Sequence, residues 1–276
     1  MTATALIAGT GALPVLLAER LEAEGHPFLL AEMEGHPAEA RPGWRVERFC
    51  VERLALLFAL LHDAGVRRVV FAGAVARPKI DPARIDPGTA QFLPRLVGAF
   101  QQGDDALLRT VIALFEEAGF EVAGAEAIAP ELVPGEAVLT PARPSAADEQ
   151  DAARAAQIAS ALGALDVGQG AVVAQGLCLA VETLPGTDAM LQWVADVAGA
   201  TRPDPKGARG VFYKAPKPGQ ERRVDLPAIG PGTIAAAARA GLAGVVIEAG
   251  GVMILDREAT LAEAERAGLF LWARRP

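Results

Sequence analysis

Short apolar runs alternate with amphipathic segments through the first half of the chain. The runs at residues 4–8 (TALIA) and Val66–Ala72 (VRRVVFA) each end in glycine, which is typical of buried strands followed by a tight turn. Helical spacing of apolar residues predicts helices over 13–24 and 51–64, with Pro14 in the first turn of the earlier one. Alternating strands and helices predict a parallel sheet with right-handed crossovers. The same half is predicted to contain a strand beginning at 27–30, a helix over 104–118 and a strand over 120–124.

The pattern changes after residue 129. Four prolines punctuate the stretch 129–148, which has few repeating hydrophobic positions and is predicted to connect two domains. We therefore expect an N-terminal Rossmann-like domain over 1–130, a Pro-rich linker over 131–148 and a C-terminal α/β domain over 149–276.

The second half is predicted to mix helices and strands as well. Gly176 interrupts a strand-like run over 170–181, and a short strand is predicted at Val211–Lys214. The remaining predictions are helices over 148–162, 188–198, 233–240 and 259–267, and a strand pair or strand and turn over 244–256.

Composition narrows the class of protein. With 51% hydrophobic residues the chain of 276 residues is not intrinsically disordered, and 29 glycines and 20 prolines exclude a coiled coil. A net charge of −8 argues against nucleic-acid binding. No apolar run reaches the ~18 residues of a membrane span, and no basic residue precedes the first apolar run as in a signal peptide. Two cysteines make neither a disulfide framework nor a zinc site, so a reducing, cytoplasmic location is expected.

Glycine turns follow two strands of the first half. Gly9 and Gly11 stand between a strand and a helix, where glycine lets a backbone approach a phosphate and the helix offers free N–H groups. Pro14 occupies the place of the third glycine of a dinucleotide fingerprint, so the turn favours a phosphate or sugar contact, or only a tight turn, over a nicotinamide cofactor. Gly73 ends another strand, and Arg77 after it is either a phosphate ligand or a surface arginine.

Acidic and polar residues stand at other predicted element ends. Asp104 and Asp105 open a helix, either capping it or forming a carboxylate pair for a cation such as Mg²⁺. In the second half, Gln175 and Glu182 lie at the ends of a strand, while Thr187 and Asp188 open a helix. These side chains suit either a sugar or base site or an ordinary turn and helix cap.

A basic stretch in this acidic chain runs over 202–223, with seven positive and two negative side chains. Its Pro-rich loop carries Lys214 and Lys217, and the rigid loop favours a phosphate site over a merely solvated face. Asp225 follows the loop between apolar residues, where it would bind a metal, orient water or pair with Arg222 or Arg223.

Four motifs together resemble one enzyme family, the LpxI type of UDP-2,3-diacylglucosamine pyrophosphatase. They are IAGTGALP at 7–14, GDD at 103–105, ExxxGTD at 182–188 and KxxKPGQxxRxDxPxIG at 214–230. The resemblance extends along the whole chain, and the last motif is the most specific of the four.

The resemblance implies hydrolysis of the diphosphate of UDP-2,3-diacylglucosamine to UMP and 2,3-diacylglucosamine 1-phosphate (lipid X) in lipid A biosynthesis. It implies two α/β domains with the substrate between them, a divalent cation such as Mg²⁺, and peripheral contact with the inner face of the cytoplasmic membrane. On this basis Asp225, Lys214 and Arg223 are the expected catalytic residues, and Asp225, Asp188, Asp104 and Asp105 the candidate metal ligands. The expected substrate-binding residues are Gly9, Gly11, Ala12, Gly73, Arg77, Gln175, Glu182, Thr187, Asp188 and Lys217.

Two other classes of protein remain open from the residues. A nucleotide-sugar oxidoreductase would use the turn at Gly9, but the third glycine and a Tyr-x-x-x-Lys pair are missing. A non-catalytic nucleotide-lipid binding protein would gain little from Asp225 beside a basic loop.

Overall fold

The computed structural model describes residues 2–76, 79–101 and 104–276, with the backbone alone at Asp104. The chain divides into two compact units, Met1–Pro130 and Glu131–Pro276. The expected mixed α/β architecture is confirmed in both units.

The N-terminal unit is built on a five-stranded parallel sheet in the order β3-β2-β1-β4-β5. Its strands are β1 (Ala3–Ala8), β2 (Phe28–Met33), β3 (Val46–Phe49), β4 (Val66–Ala72) and β5 (Glu121–Ala123). Leu6 of β1 lies opposite Leu30 of β2 and Val70 of β4, and all three are fully buried. Continuous apolar runs of this kind suit a parallel sheet whose two faces are both covered.

Helices connect these strands. They are α1 (Leu13–Ala23), α2 (Leu54–Asp63), α3 (Pro87–Ala90), α4 (Leu93–Phe100) and α5 (Asp104–Glu117). Phe58 of α2 meets Phe115 of α5 edge to face, with ring centroids 4.9 Å apart, and Phe115 also packs on Phe71 of β4. This aromatic cluster attaches the two helices to the sheet.

The C-terminal unit has a six-stranded mixed sheet in the order β6-β13-β11-β9-β7-β8, and a small parallel pair, β10-β12. The strands are β6 (Ala137–Val138), β7 (Gly170–Ala174), β8 (Leu177–Val181), β9 (Val211–Lys214), β10 (Ala228–Ile229), β11 (Gly244–Glu248), β12 (Met253–Ile254) and β13 (Phe270–Arg274). β9, β11 and β13 run parallel, and β8 runs with them because β7 between β8 and β9 is antiparallel to both. The predicted interruption at Gly176 is a tight hairpin in which Gln175 and Gly176 have positive φ values of 55° and 78°.

Helices lie on both faces of this sheet. They are α6 (Ala146–Ala164), α7 (Gly186–Asp196), α8 (Pro231–Arg239) and α9 (Arg257–Ala267). Val172 and Phe212 point into the core under α7, α8 and α9, while their neighbours Val173 and Tyr213 point to the core under α6. The two-residue periodicity of strands therefore divides one apolar sheet between two cores.

The sequence prediction differs from the structure in several strands. β3 was not predicted, since its sequence VERF is partly exposed and lacks a continuous apolar pattern. Of the two alternatives for 244–256, the strand pair is wrong and the strand and turn is confirmed, because β11 pairs with β9 and β13 while β12 pairs with β10. The helix predicted over 259–267 is confirmed as α9, which Gly268 ends at φ +65°, but the strand β13 that follows it was not predicted.

The stretch 131–148 belongs to the compact C-terminal unit. Ala137 and Val138 pair with Ala273 and Trp272 of β13 and so form an edge of the sheet. Ser145 and Asp148 then form a capping box at the start of α6. Parts of the segment predicted as a linker therefore have regular structure.

Candidate functional site

The turns after β1 and β4 meet at the carboxyl edge of the N-terminal sheet. β1 pairs with β2 on one side and with β4 on the other, so this is the position where the strand order reverses and where open α/β sheets bind ligands. Thr10 and Ala74 exchange two backbone hydrogen bonds of 2.9 Å, and the Thr10 hydroxyl donates a third, of 3.1 Å, to the Ala74 carbonyl. The two turns are thereby fixed against each other.

The three glycines of these turns have different reasons to be glycine. A Cβ on Gly9 would lie 2.4 Å from the Ala74 carbonyl oxygen, and one on Gly73 would lie 2.5 Å from the Thr10 carbonyl oxygen. Gly9 and Gly73 are therefore needed for the close approach of the two turns. Gly11, at φ +101°, has no atom within 4 Å of the Cβ position, and Ala12 provides no side-chain cap for α1. Gly11 and Ala12 are thus the positions with open space beside a helix N-terminus.

His36 is a supporting residue that the sequence analysis did not single out. Its Nε2 accepts a 2.8 Å hydrogen bond from the Ala76 amide, and its Nδ1 lies 3.3 Å from the Glu34 carbonyl oxygen. The ring therefore connects the end of β2 to the turn after β4. Only the strand order of the sheet brings His36 to this turn, and no sequence spacing indicates it.

The other predicted site residues of this unit are less informative. Arg77 and Gly103 lie outside the described residues, as does the side chain of Asp104. Asp105 forms an exposed 2.7 Å ion pair with Arg109, one helical turn further along α5.

The C-terminal unit places predicted site residues at one edge of its sheet. Lys214 is the last residue of β9, Glu182 follows β8, and Gly170 begins β7 directly opposite Lys214. The Lys214 ammonium donates a 2.6 Å hydrogen bond to the hydroxyl of Thr187 and lies 3.6 Å from Glu182 Oε1. The predicted cap at Thr187 or Asp188 is wrong, because α7 has no side-chain cap and Thr187 binds Lys214 instead.

Lys214 and Glu182 form a buried ion pair, with side chains 7% and 9% exposed. Burial lowers the pKa of Lys214, and the nearby carboxylates of Glu182 and Asp188 raise it in part. Glu182 Oε2 is a buried acceptor with no hydrogen-bond donor in the part of the chain that the structure describes. Gly170 makes room for it, since a Cβ there would lie 2.7 Å from that oxygen.

Asp225 lies in the loop between β9 and β10. Gln220 organises this loop: its Oε1 accepts from the Lys217 amide, and its Nε2 donates to both the carbonyl and the carboxylate of Asp225. The Asp225 amide in turn donates a 3.1 Å bond to the Glu221 carbonyl. The carboxylate of Asp225 is thus oriented by its own loop, and Gln220 is the orienting residue that sequence reasoning missed.

The basic residues predicted to bind phosphate have acidic partners. Lys217 pairs with Asp166 at 2.7 Å and Arg223 with Glu221 at 2.9 Å. Arg222 pairs with Glu248 at the end of β11, at 2.8 Å. The positive charges are therefore partly neutralised, and Asp166 and Glu248 come from outside the basic stretch, which a count along the sequence does not show.

Gln175 does not join this group. It lies in the hairpin turn at the opposite end of β8 from Glu182. Since β8 has five extended residues, its two ends are about 17 Å apart. Its side-chain Nε2 donates to the carbonyls of Asp204 and Ala208, and its Oε1 accepts from the backbone amide of Asp204. Gln175 therefore holds the loop before β9, and its predicted role in substrate binding is not supported by this position.

The fold and the clustered polar residues define a class: a chain of two α/β units, each with candidate site residues at the carboxyl ends of parallel strands. The family profile of the LpxI N-terminal domain matches residues 3–132, and that of the LpxI C-terminal domain matches residues 135–272. The chain therefore belongs to the LpxI family. It is 44% identical over 266 residues to the UDP-2,3-diacylglucosamine pyrophosphatase LpxI of Caulobacter vibrioides, covering 96% of this chain and 95% of that protein.

Proposed function

We propose that this protein is a UDP-2,3-diacylglucosamine pyrophosphatase that releases UMP and 2,3-diacylglucosamine 1-phosphate, a step of lipid A biosynthesis. The observation that carries the proposal is the 44% identity, across 96% of the chain, to a relative of that name. The polar residues at the carboxyl edge of the C-terminal sheet provide the chemistry that such a reaction needs.

The glycine turn of the N-terminal unit is assigned to a phosphate or sugar of the substrate. Gly11 and Ala12 leave the first N–H groups of α1 without a side-chain cap, and those groups are free to donate to an anion. Gly9 and Gly73 act indirectly by allowing the turns to meet. Arg77 stays a prediction.

Asp225 is assigned to the attacking water. Its carboxylate is held by Gln220 Nε2 at 2.5 Å, a contact that fixes the direction in which it accepts a proton. Lys217 and Arg223 precede it in the same loop, and each is able to exchange its present carboxylate for a diphosphate oxygen. The positive side chains would then stabilise the charge that develops on the leaving phosphate.

Lys214 is assigned a positioning role. It is too buried to be an open phosphate ligand, but it fixes the Thr187 hydroxyl in the first turn of α7 and neutralises Glu182. Thr187 and Asp188 are then the members of this cluster that reach the substrate.

A divalent cation such as Mg²⁺ fits the acidic residues of the C-terminal unit. The described residues contain no group of three or more His, Cys, Asp or Glu side chains arranged to hold a metal ion. Mg²⁺ commonly takes only one or two carboxylates together with substrate phosphates and water. The unpartnered Oε2 of Glu182 shows a local excess of acceptors. Asp188 or Asp225 would hold the ion together with the substrate diphosphate, while Asp104 and Asp105 stay predictions.

The cation would neutralise diphosphate charge and lower the pKa of a bound water. Asp225 would orient the water and take its proton, and the basic side chains would bind the diphosphate. The substrate carries two acyl chains, so we also propose peripheral contact with a membrane surface. None of the helices among the described residues is long and apolar enough to cross a bilayer.

The test is hydrolysis of UDP-2,3-diacylglucosamine to UMP by the purified protein, with Mg²⁺ and with EDTA. Wild type is expected to release UMP only with the metal, and Asp225→Ala to lose roughly 10²–10⁴-fold in rate. Asp196→Ala, an exposed acid at the end of α7, is the matched control and should keep full activity. Binding of the substrate without any release of UMP would identify a non-catalytic binding protein instead.

A further inference from the structure

Three apolar side chains are exposed on two neighbouring turns of the C-terminal unit. Leu184 is fully exposed, Leu165 is 74% exposed and Val167 is 40% exposed. Single exposed hydrophobic residues are ordinary in proteins, but a group beside a functional site indicates a contact surface. We call Leu165, Val167 and Leu184 the apolar rim.

Both turns of the apolar rim are fixed in shape. Leu184 lies in a turn closed by a 2.8 Å hydrogen bond from the Gly186 amide to the Thr183 carbonyl, and Pro185 stiffens it further. Leu165 and Val167 flank Asp166, which has a φ of 57°, and the Val167 amide donates a 3.0 Å bond to the Leu162 carbonyl. The apolar tips are therefore presented with little loss of conformational freedom on binding.

The two turns lie side by side at the edge of the sheet that carries the candidate site. A Cβ on Gly168 would lie 1.9 Å from the Glu182 carbonyl oxygen, so the backbones are in direct contact. Leu184 is two residues from Glu182 and three from Thr187, the hydroxyl of which binds Lys214. The apolar rim is thus continuous with the polar residues assigned to the substrate.

Most of the charged side chains beside the apolar rim are paired. Asp166, the charged residue between Leu165 and Val167, pairs with Lys217 at 2.7 Å, and Glu182 pairs with the buried Lys214. A partner recognised here is therefore recognised by apolar contact rather than by net charge. Acyl chains at a bilayer surface have this chemistry, and they are where a diacylated substrate lies.

We propose that the apolar rim inserts into the interface of a lipid bilayer and brings the carboxyl edge of the C-terminal sheet to the level of the lipid headgroups. This inference rests on the proposed function, because it takes the membrane contact from the acyl chains of the substrate. It assigns that contact to two turns of the C-terminal unit, without an amphipathic helix.

The experiment is flotation of the full-length protein with two kinds of vesicle, pure phosphatidylcholine and phosphatidylcholine with phosphatidylglycerol, at low and high NaCl. Wild type should bind both kinds, with little change on adding salt, because an apolar contact is not screened. The double variant Leu165→Ser/Leu184→Ser should lose about tenfold or more in binding. Leu177→Ser is the matched control: Leu177 is 50% exposed at the opposite end of β8 and should leave binding unchanged.

An activity measurement separates this inference from the proposed function. With substrate in vesicles the double variant should have a lower kcat/KM, whereas with substrate dispersed in detergent it should match wild type. Absence of hydrolysis by wild type in detergent would overturn the proposed function, while flotation would still test the apolar rim. The inference is overturned if wild type does not float, if the double variant floats like wild type, if Leu177→Ser is equally impaired, or if binding requires phosphatidylglycerol and disappears in salt.

Discussion

The buried pair of Lys214 and Glu182 permits the most direct test of the C-terminal site. The change is Glu182→Gln, which keeps the shape of the side chain and removes its charge. At 3.6 Å the two charges attract each other by about 5 kcal/mol if the effective dielectric constant is ~20, and by about 1 kcal/mol in bulk water. Because both side chains are buried, the larger value applies more closely, and removing one partner of such a pair commonly costs about 3–5 kcal/mol.

Two results are expected from Glu182→Gln. The free energy of unfolding of the C-terminal unit should fall by about 3–5 kcal/mol, measured by urea denaturation followed by tryptophan fluorescence. The pKa of Lys214, already lowered by burial, should fall further because the carboxylate that raises it is gone. The rate of UMP release should then decline at a lower pH on the alkaline side, as Lys214 loses its proton earlier.

The control is the double variant Lys214→Met/Glu182→Gln, which removes the buried positive charge as well. It should recover most of the stability lost in Glu182→Gln, because no unpaired charge stays buried. In this double variant the alkaline decline due to Lys214 should be absent. If Glu182→Gln loses less than ~1 kcal/mol and its alkaline decline coincides with that of wild type, then Glu182 does not stabilise the charge of Lys214.

Three further predictions concern the rest of the molecule. Gly9→Ala should destabilise the N-terminal unit by about 1–3 kcal/mol, because its Cβ would lie 2.4 Å from the Ala74 carbonyl oxygen. The added Cβ of Gly98→Ala in α4 would have no atom within 4 Å, so the melting temperature should stay unchanged or rise. Equal melting temperatures for the Gly9 and Gly98 variants would contradict the packing argument. His36→Ala should raise KM more than it lowers kcat, since the ring holds the Ala76 amide of the turn after β4. Hydrogen exchange at the Ala76 amide should also become faster, and an unchanged exchange rate would exclude this role of His36. Gln220→Ala should lower kcat with little change in KM because Asp225 loses the amide that orients it, and an unchanged kcat would show that the loop holds Asp225 without Gln220.

The local pattern of apolar residues and prolines was sufficient to predict many of the helices and strands. β4 and β9 have the predicted bounds, and α1 begins at the predicted residue with Pro14 in its first turn, because apolar periodicity and proline geometry act over a few residues. The edge strand β3 and the C-terminal strand β13 were missed for a related reason. β13 pairs with β11 and β6, which are not its neighbours along the chain, and the VERF sequence of β3 has no apolar pattern of its own.

The candidate site, too, was predicted only in part from the sequence. By itself the sequence determined the residue types of the chemistry: the glycine turn at Gly9, the acid at Asp225 and a basic stretch around Lys214. Only the tertiary structure decided which of these groups share an edge and which charges are already paired. It brought Glu182, Lys214 and Thr187 together, and it moved Gln175 to the far end of the hairpin. Residue type is a local property of the chain, whereas burial and charge pairing depend on strands that meet only after the sheet has formed.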